Sequence, residues 1–90
     1  MAKFRKRPVV IEAMQIPLDQ ALGSLEAWGR LASWLGPDGP WKMTGDGGVN
    51  LKTLEGTMRG DPGDWIIRGI KNELYPCEPD IFAATYELVE

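Results

Sequence analysis

One apolar stripe, and the place where it stops, constrain this chain more than any other feature. Leu25, Trp28, Leu31, Ala32 and Leu35 recur at three- and four-residue spacing, the period of a helix with one buried face. The stripe ends at Gly36-Pro37, where glycine accepts a left-handed cap and proline cannot continue the hydrogen-bond ladder. Ser24 is placed to cap the start by accepting an N–H of the first turn. Gly23 and Gly29 each lower helix propensity by up to about 1 kcal/mol. The spacing therefore predicts a helix over 24–35, with 18–22 as an extension or a turn. No other stretch carries this period.

The remainder reads as short strands between turn signals. Pro8-Val9-Val10-Ile11-Glu12-Ala13-Met14-Gln15-Ile16 is β-branched, is bounded by Pro8 and Pro17, and is apolar on both faces, which predicts a well-covered strand. Trp41-Lys42-Met43 and 49–54 flank Thr44-Gly45-Asp46-Gly47-Gly48, a glycine-rich hairpin signal. Glu55-Gly56 marks a second reversal or a bulge before Thr57-Met58-Arg59. Gly60-Asp61-Pro62-Gly63-Asp64 is a tight turn in which Gly63 is free to take positive φ. Trp65-Ile66-Ile67-Arg68 reads as a buried strand, turned at 69–72 into 73–77. Pro79 to Ala84 suits one helical turn with proline first, and Tyr86-Glu87-Leu88-Val89 reads as a closing strand. The expected fold class is α+β: a small curled antiparallel β-sheet of five or six short strands with one main α-helix packed on one face.

Ninety residues predict a single domain over 1–90, near the lower size at which one core sustains a fold. The apolar runs are too short to span a membrane, and no apolar stretch behind the basic start suits a leader. The net charge of −3 is unevenly spread. Lys3, Arg5, Lys6 and Arg7 form a basic N-terminal arm over 1–7, whereas 61–90 holds seven acids against Arg68 and Lys71. The arm reads either as a nucleic-acid contact or, the commoner arrangement, as the neutralising neighbour of the acidic C-terminal segment. The acidic total disfavours nucleic acid, whose binding domains are usually basic over a whole face.

The chemistry legible in the chain is mostly negative. It has no histidine and one cysteine, so no internal disulfide forms and most familiar acid–base and metal sites are missing. Cys77 lacks a base or cation nearby in sequence, and Glu78 and Asp80 should raise its pKa, so a buried structural thiol is expected. Asp61 and Asp64 flank Pro62-Gly63 and have no third carboxylate at regular spacing. They read as turn caps rather than as a metal site or an acid pair. The glycine-rich 44–48 segment has no P-loop lysine and no following helix. No catalytic residue, metal ligand or cofactor is assigned.

Four tryptophans are more than a domain this size needs. Trp28 and Trp65 sit in periodic apolar context and are expected in the core. Trp34, off the helical stripe, and Trp41, after the Pro-Gly loop, suit either an interface or a satellite cluster under the 36–48 loop. Arg59 and Arg68 are the natural grips for a phosphate or carboxylate, or else partners of Asp61, Glu73 or Glu87. The ligand-binding set on this reading is Trp41, Arg59, Arg68 and Asp64, with Trp34 and Trp41 as interface residues.

The motifs Pro8-Val9-Val10-Ile11-Glu12-Ala13, Thr53-Leu54-Glu55-Gly56-Thr57-Met58-Arg59, Pro62-Gly63-Asp64-Trp65-Ile66-Ile67-Arg68-Gly69 and Tyr75-Pro76-Cys77-Glu78-Pro79-Asp80-Ile81-Phe82 fall in that order. With them the chain resembles a family of small bacteriophage and prophage proteins, over residues 3–15 and 49–89. The resemblance implies life in the cytoplasm of an infected bacterium and carries no activity. The expected function is that of a non-enzymatic accessory protein, a homo-oligomer that binds a host protein or small molecule. One form of it sequesters a nucleotide signal of host defence. The alternatives are a virion or morphogenesis protein and a small carboxylate-dependent hydrolase.

Overall fold

The computed structural model describes residues 1–5, 8–18 and 25–89. Six strands and two helices follow in the order β1 (Glu12–Gln15), α1 (Leu25–Leu35), β2 (Trp41–Met43), β3 (Val49–Thr53), β4 (Gly56–Gly60), β5 (Trp65–Arg68), β6 (Leu74–Cys77) and α2 (Pro79–Thr85). The class is mixed α+β, mostly sheet. The strands divide between two antiparallel three-stranded sheets, β1-β5-β6 and β2-β3-β4, rather than forming one curled sheet.

Both sheets turn one face to a shared core. Ile16, Val49, Leu51, Ile66 and Leu74 are buried with Trp28, Leu31 and Leu35 of α1, and Met14, Trp34 and Trp41 pack against them. The helical stripe read from the sequence thus supplies three of these core residues. Gly36 takes φ +89° and donates its N–H to Ala32 at 2.9 Å, the expected left-handed stop. Ser24 and residues 19–22 lie outside the described residues.

The turns follow their sequence signals. Gly63 has φ +90°, and the Asp64 N–H donates to the Asp61 carbonyl at 3.0 Å. Ile16 clips this turn to the end of β1, since its N–H donates to the Asp64 carbonyl and its carbonyl accepts from Gly63. Asn72 takes φ +62° in the β5–β6 turn, a conformation that asparagine tolerates better than most residues.

Two expected strands come out differently. The first covers only Glu12–Gln15, and its upstream residues are not well covered: Val10 is 75% exposed. Residues 86–89 form no strand. The Tyr86 N–H is used on the Phe82 carbonyl to close α2, and the apolar residues beyond it line a groove instead of a ladder. Pro79–Thr85 is a seven-residue second helix, longer than a single turn.

Candidate binding groove

Register in the first sheet sorts side chains between its two faces. Met14, Ile66 and Pro76 lie abreast, as do Glu12, Arg68 and Leu74, and these rows belong to the core face. The intervening rows, Ala13-Ile67-Tyr75 and Gln15-Trp65-Cys77, point to the opposite face. There α2 covers part of the sheet: the Phe82 ring stacks on Trp65 with centroids 4.3 Å apart and planes 6° from parallel, and Tyr86 lies 5.2 Å beyond Phe82. Trp65 is accordingly half-buried in this stack rather than a core residue.

A groove of about 600 Å³ opens beside the stack. Val9, Val10 and Ile11 form one side, Phe82, Ala83 and Tyr86 the other, and Ala13 and Trp65 lie on the sheet face between them. Leu88 and Val89 of the C-terminal tail continue the apolar lining. The outer edge of β1 pairs with no strand among the described residues, so its backbone groups border the groove unpaired.

The surroundings are acidic. Glu87 lines the groove, and the exposed Glu78 and Asp80 flank Pro79 at the start of α2. Burial first, then the charges of Asp64, Asp80 and Glu78, raise the pKa of Cys77. That thiol is half-buried rather than fully buried, and it is held in the unreactive protonated form that its acidic neighbours led us to expect. The Tyr75 hydroxyl is pushed up to about 12, chiefly by burial and then by the Tyr86 hydroxyl.

The residues singled out from sequence for ligand binding are not gathered in one place. Arg59 is tied down: Nε donates to Asp61 at 2.7 Å, Nη2 to Asp46 at 3.0 Å and Nη1 to the Thr44 hydroxyl at 3.3 Å. Asp46 is the partner that the sequence reading missed. The Thr44 hydroxyl and then Arg59 lower its pKa to about 2. The 44–48 segment is thus a hairpin whose side chains hold Arg59, and a Cβ on Gly48 would meet that guanidinium at 2.6 Å.

Arg68 is equally engaged. It donates to Glu12 at 3.2 Å and to the Trp34 carbonyl at 2.6 Å, and its guanidinium lies 4.3 Å from the centroid of the Trp34 ring. This cation from β5 serves the C-terminal end of α1, whose own last turn has no basic residue. Neither Glu73 nor Glu87 pairs with either arginine among the described residues. Asp64 accepts the Asp61 N–H at 2.9 Å, which is the turn-capping role read from the sequence. Trp34 and Trp41 are both half-buried against the core, and the Trp41 indole N–H donates to the Gly36 carbonyl at 2.6 Å.

A second, polar recess of about 360 Å³ lies beside Trp41. Lys42, Asn50 and Lys52 share one face of the second sheet there, with Thr57 opposite Lys52. The alternation Trp41-Lys42-Met43 against Asn50-Leu51-Lys52 was the available signal for these two lysines. Among the described residues no group of three histidine, cysteine or acidic side chains is placed to hold a metal ion, and no helix is long and apolar enough to cross a membrane. No protein-family model matches the chain, and neither curated proteins nor solved structures yield a match.

Proposed function

We propose that this is a non-enzymatic binding protein, an accessory protein of a bacteriophage working in the host cytoplasm, that captures an extended apolar segment of another polypeptide. One observation carries the reading: an aromatic-lined groove runs beside the unpaired edge of β1. An incoming strand would gain backbone hydrogen bonds from that edge and seat alternate side chains against Trp65, Phe82 and Ala83. In this account α1 covers the core side of the two sheets, which leaves the opposite face of β1-β5-β6 for binding. The phage setting rests on the motif resemblance alone.

The test is peptide capture by the intact chain. A library of extended apolar peptides should bind the wild type and lose at least about tenfold in affinity on Ala83→Arg, which places a charged stem across the groove. Equal binding by both proteins would sink the reading.

The recess beside Trp41 favours a second reading, capture of a phosphate-bearing nucleotide. Lys42 and Lys52 would then be the cations in place of the engaged Arg59 and Arg68. It predicts that a nucleotide raises the melting temperature of the wild type and has no effect on Lys42→Ala/Lys52→Ala.

A further inference from the structure

The groove has an acidic border and an apolar lining, and the chain carries a segment of the complementary kind. Residues 1–7 combine Lys3, Arg5, Lys6 and Arg7 with one aromatic, Phe4. Phe4 is 95% exposed, and Lys3 and Arg5 form no ion pair among the described residues. The expectation that the arm neutralises the acidic end of its own molecule is therefore not met by these residues. Among the described residues of the arm, 1–5 are exposed.

We propose that the groove receives the N-terminal arm of a second copy of this chain, so that two copies exchange arms. The proposal rests on the groove being the binding face and names its occupant. Phe4 would enter beside the Trp65–Phe82 stack, while the basic residues around it face Glu78, Asp80 and Glu87. Seven extended residues span at most about 25 Å. The seven-residue α2 that walls the groove is only about 10 Å long, so the arm is long enough to run its length. The arm leaves its own chain at Pro8, whose fixed φ stiffens the exit, and Val9–Ile11 then line the groove of that same chain. Each copy thus offers an arm and a groove side by side, as a two-fold exchange requires.

The binding energy is divided between apolar contact and charge, and each part has its own signature. Loss of Phe4 from both arms at once should weaken the dimer about 100-fold or more. The charge contribution should fade as salt rises from about 0.05 to 0.5 M, because the pairs lie at a solvated border.

Sedimentation equilibrium on the full chain tests this. The wild type should be a dimer, and Phe4→Ala should raise its dissociation constant about 100-fold. Lys3→Glu/Arg5→Glu should also dissociate it, as should Ala83→Arg. Because Phe4, Lys3 and Arg5 are exposed, circular dichroism should show their variants fully folded. A dimer dissolved by Ala83→Arg but untouched by both arm changes overturns the arm while leaving the groove as the binding face. A dimer untouched by all three overturns the proposal and speaks against the groove as well. A wild type that stays monomeric at about 100 μM overturns arm exchange, and the peptide library then judges the groove by itself.

Discussion

Where the two sheets meet, a single hydrogen atom can be replaced by a methyl group to test how the core is closed. Gly60 is the buried last residue of β4, and Ile16 is the buried residue just after β1. A Cβ built on Gly60 falls 2.7 Å from Ile16 Cδ1, whereas its next neighbours, Pro76 Cβ and the Val49 carbonyl, stand at 3.6 and 3.8 Å. Carbon atoms rest at about 3.5–4.0 Å, so the overlap is roughly 1 Å and falls on one atom. Overpacking of this kind costs about 1–3 kcal/mol. Replacing glycine within a strand returns about 0.5–1 kcal/mol through the unfolded chain, leaving Gly60→Ala destabilised by about 1–2 kcal/mol. At about 4–8 °C per kcal/mol for a chain this short, the melting temperature should fall by roughly 5–15 °C. Ile16→Val deletes the clashing atom and alone should cost about 0.5–1.5 kcal/mol. With the clash gone, the double variant should be about 0.5–1 kcal/mol more stable than Ile16→Val by itself, a coupling of about 1–3 kcal/mol. Urea denaturation followed by circular dichroism measures all four corners of the cycle. Two changes that add to within about 0.5 kcal/mol, or a stabilising Gly60→Ala, would refute the contact between the sheets.

Other perturbations address the groove and the charged clusters. Phe82→Ala removes the ring stacked on Trp65 and should cost about 1–2 kcal/mol, with a change in tryptophan emission. Gly36→Ala has open space around its Cβ but φ +89°, so its cost of about 1–2 kcal/mol should be purely conformational and should appear as a lower melting temperature. Asp46 titrates at about 2 in the folded chain against an ordinary 3.8, so its contribution to stability is complete above about pH 4 and is lost as pH falls through 2. The melting-temperature gap between the wild type and Asp46→Asn should therefore be full at pH 5 and closed near pH 2. Cys77, half-buried with its pKa raised, should be alkylated at pH 8 more slowly than a free cysteine peptide.

Local signals carried the elements well, whereas long-range neighbours were not legible. The helical stripe ended by Gly36-Pro37, the 44–48 hairpin and the 61–64 turn each declare themselves within a few residues, because caps and turns are settled by nearby backbone chemistry. Trp65 was misplaced because the alternation of β5 does not say which of two apolar faces is the core; α2 decides that, and it lies far along the chain. Residues 8–11 look like a covered strand by composition, yet only a partner could cover them, and their register offers none among the described residues. The arginines were recognisable as grips but not as occupied ones. Asp46 meets Arg59 across a hairpin and Glu12 meets Arg68 across 56 residues, pairings that only strand order creates.

The claim that the groove is a binding face can be met most directly by amide and indole shift mapping. A synthetic peptide of residues 1–7 would be titrated into the full-length Phe4→Ala chain, whose own arm is the weaker competitor. The account predicts shifts at the Trp65 indole, at the amides of 9–11 and at those of 82–89, all following one saturable curve. Shifts confined to Trp41, Lys42 and Lys52, or no shift at peptide concentrations near 1 mM, would contradict it.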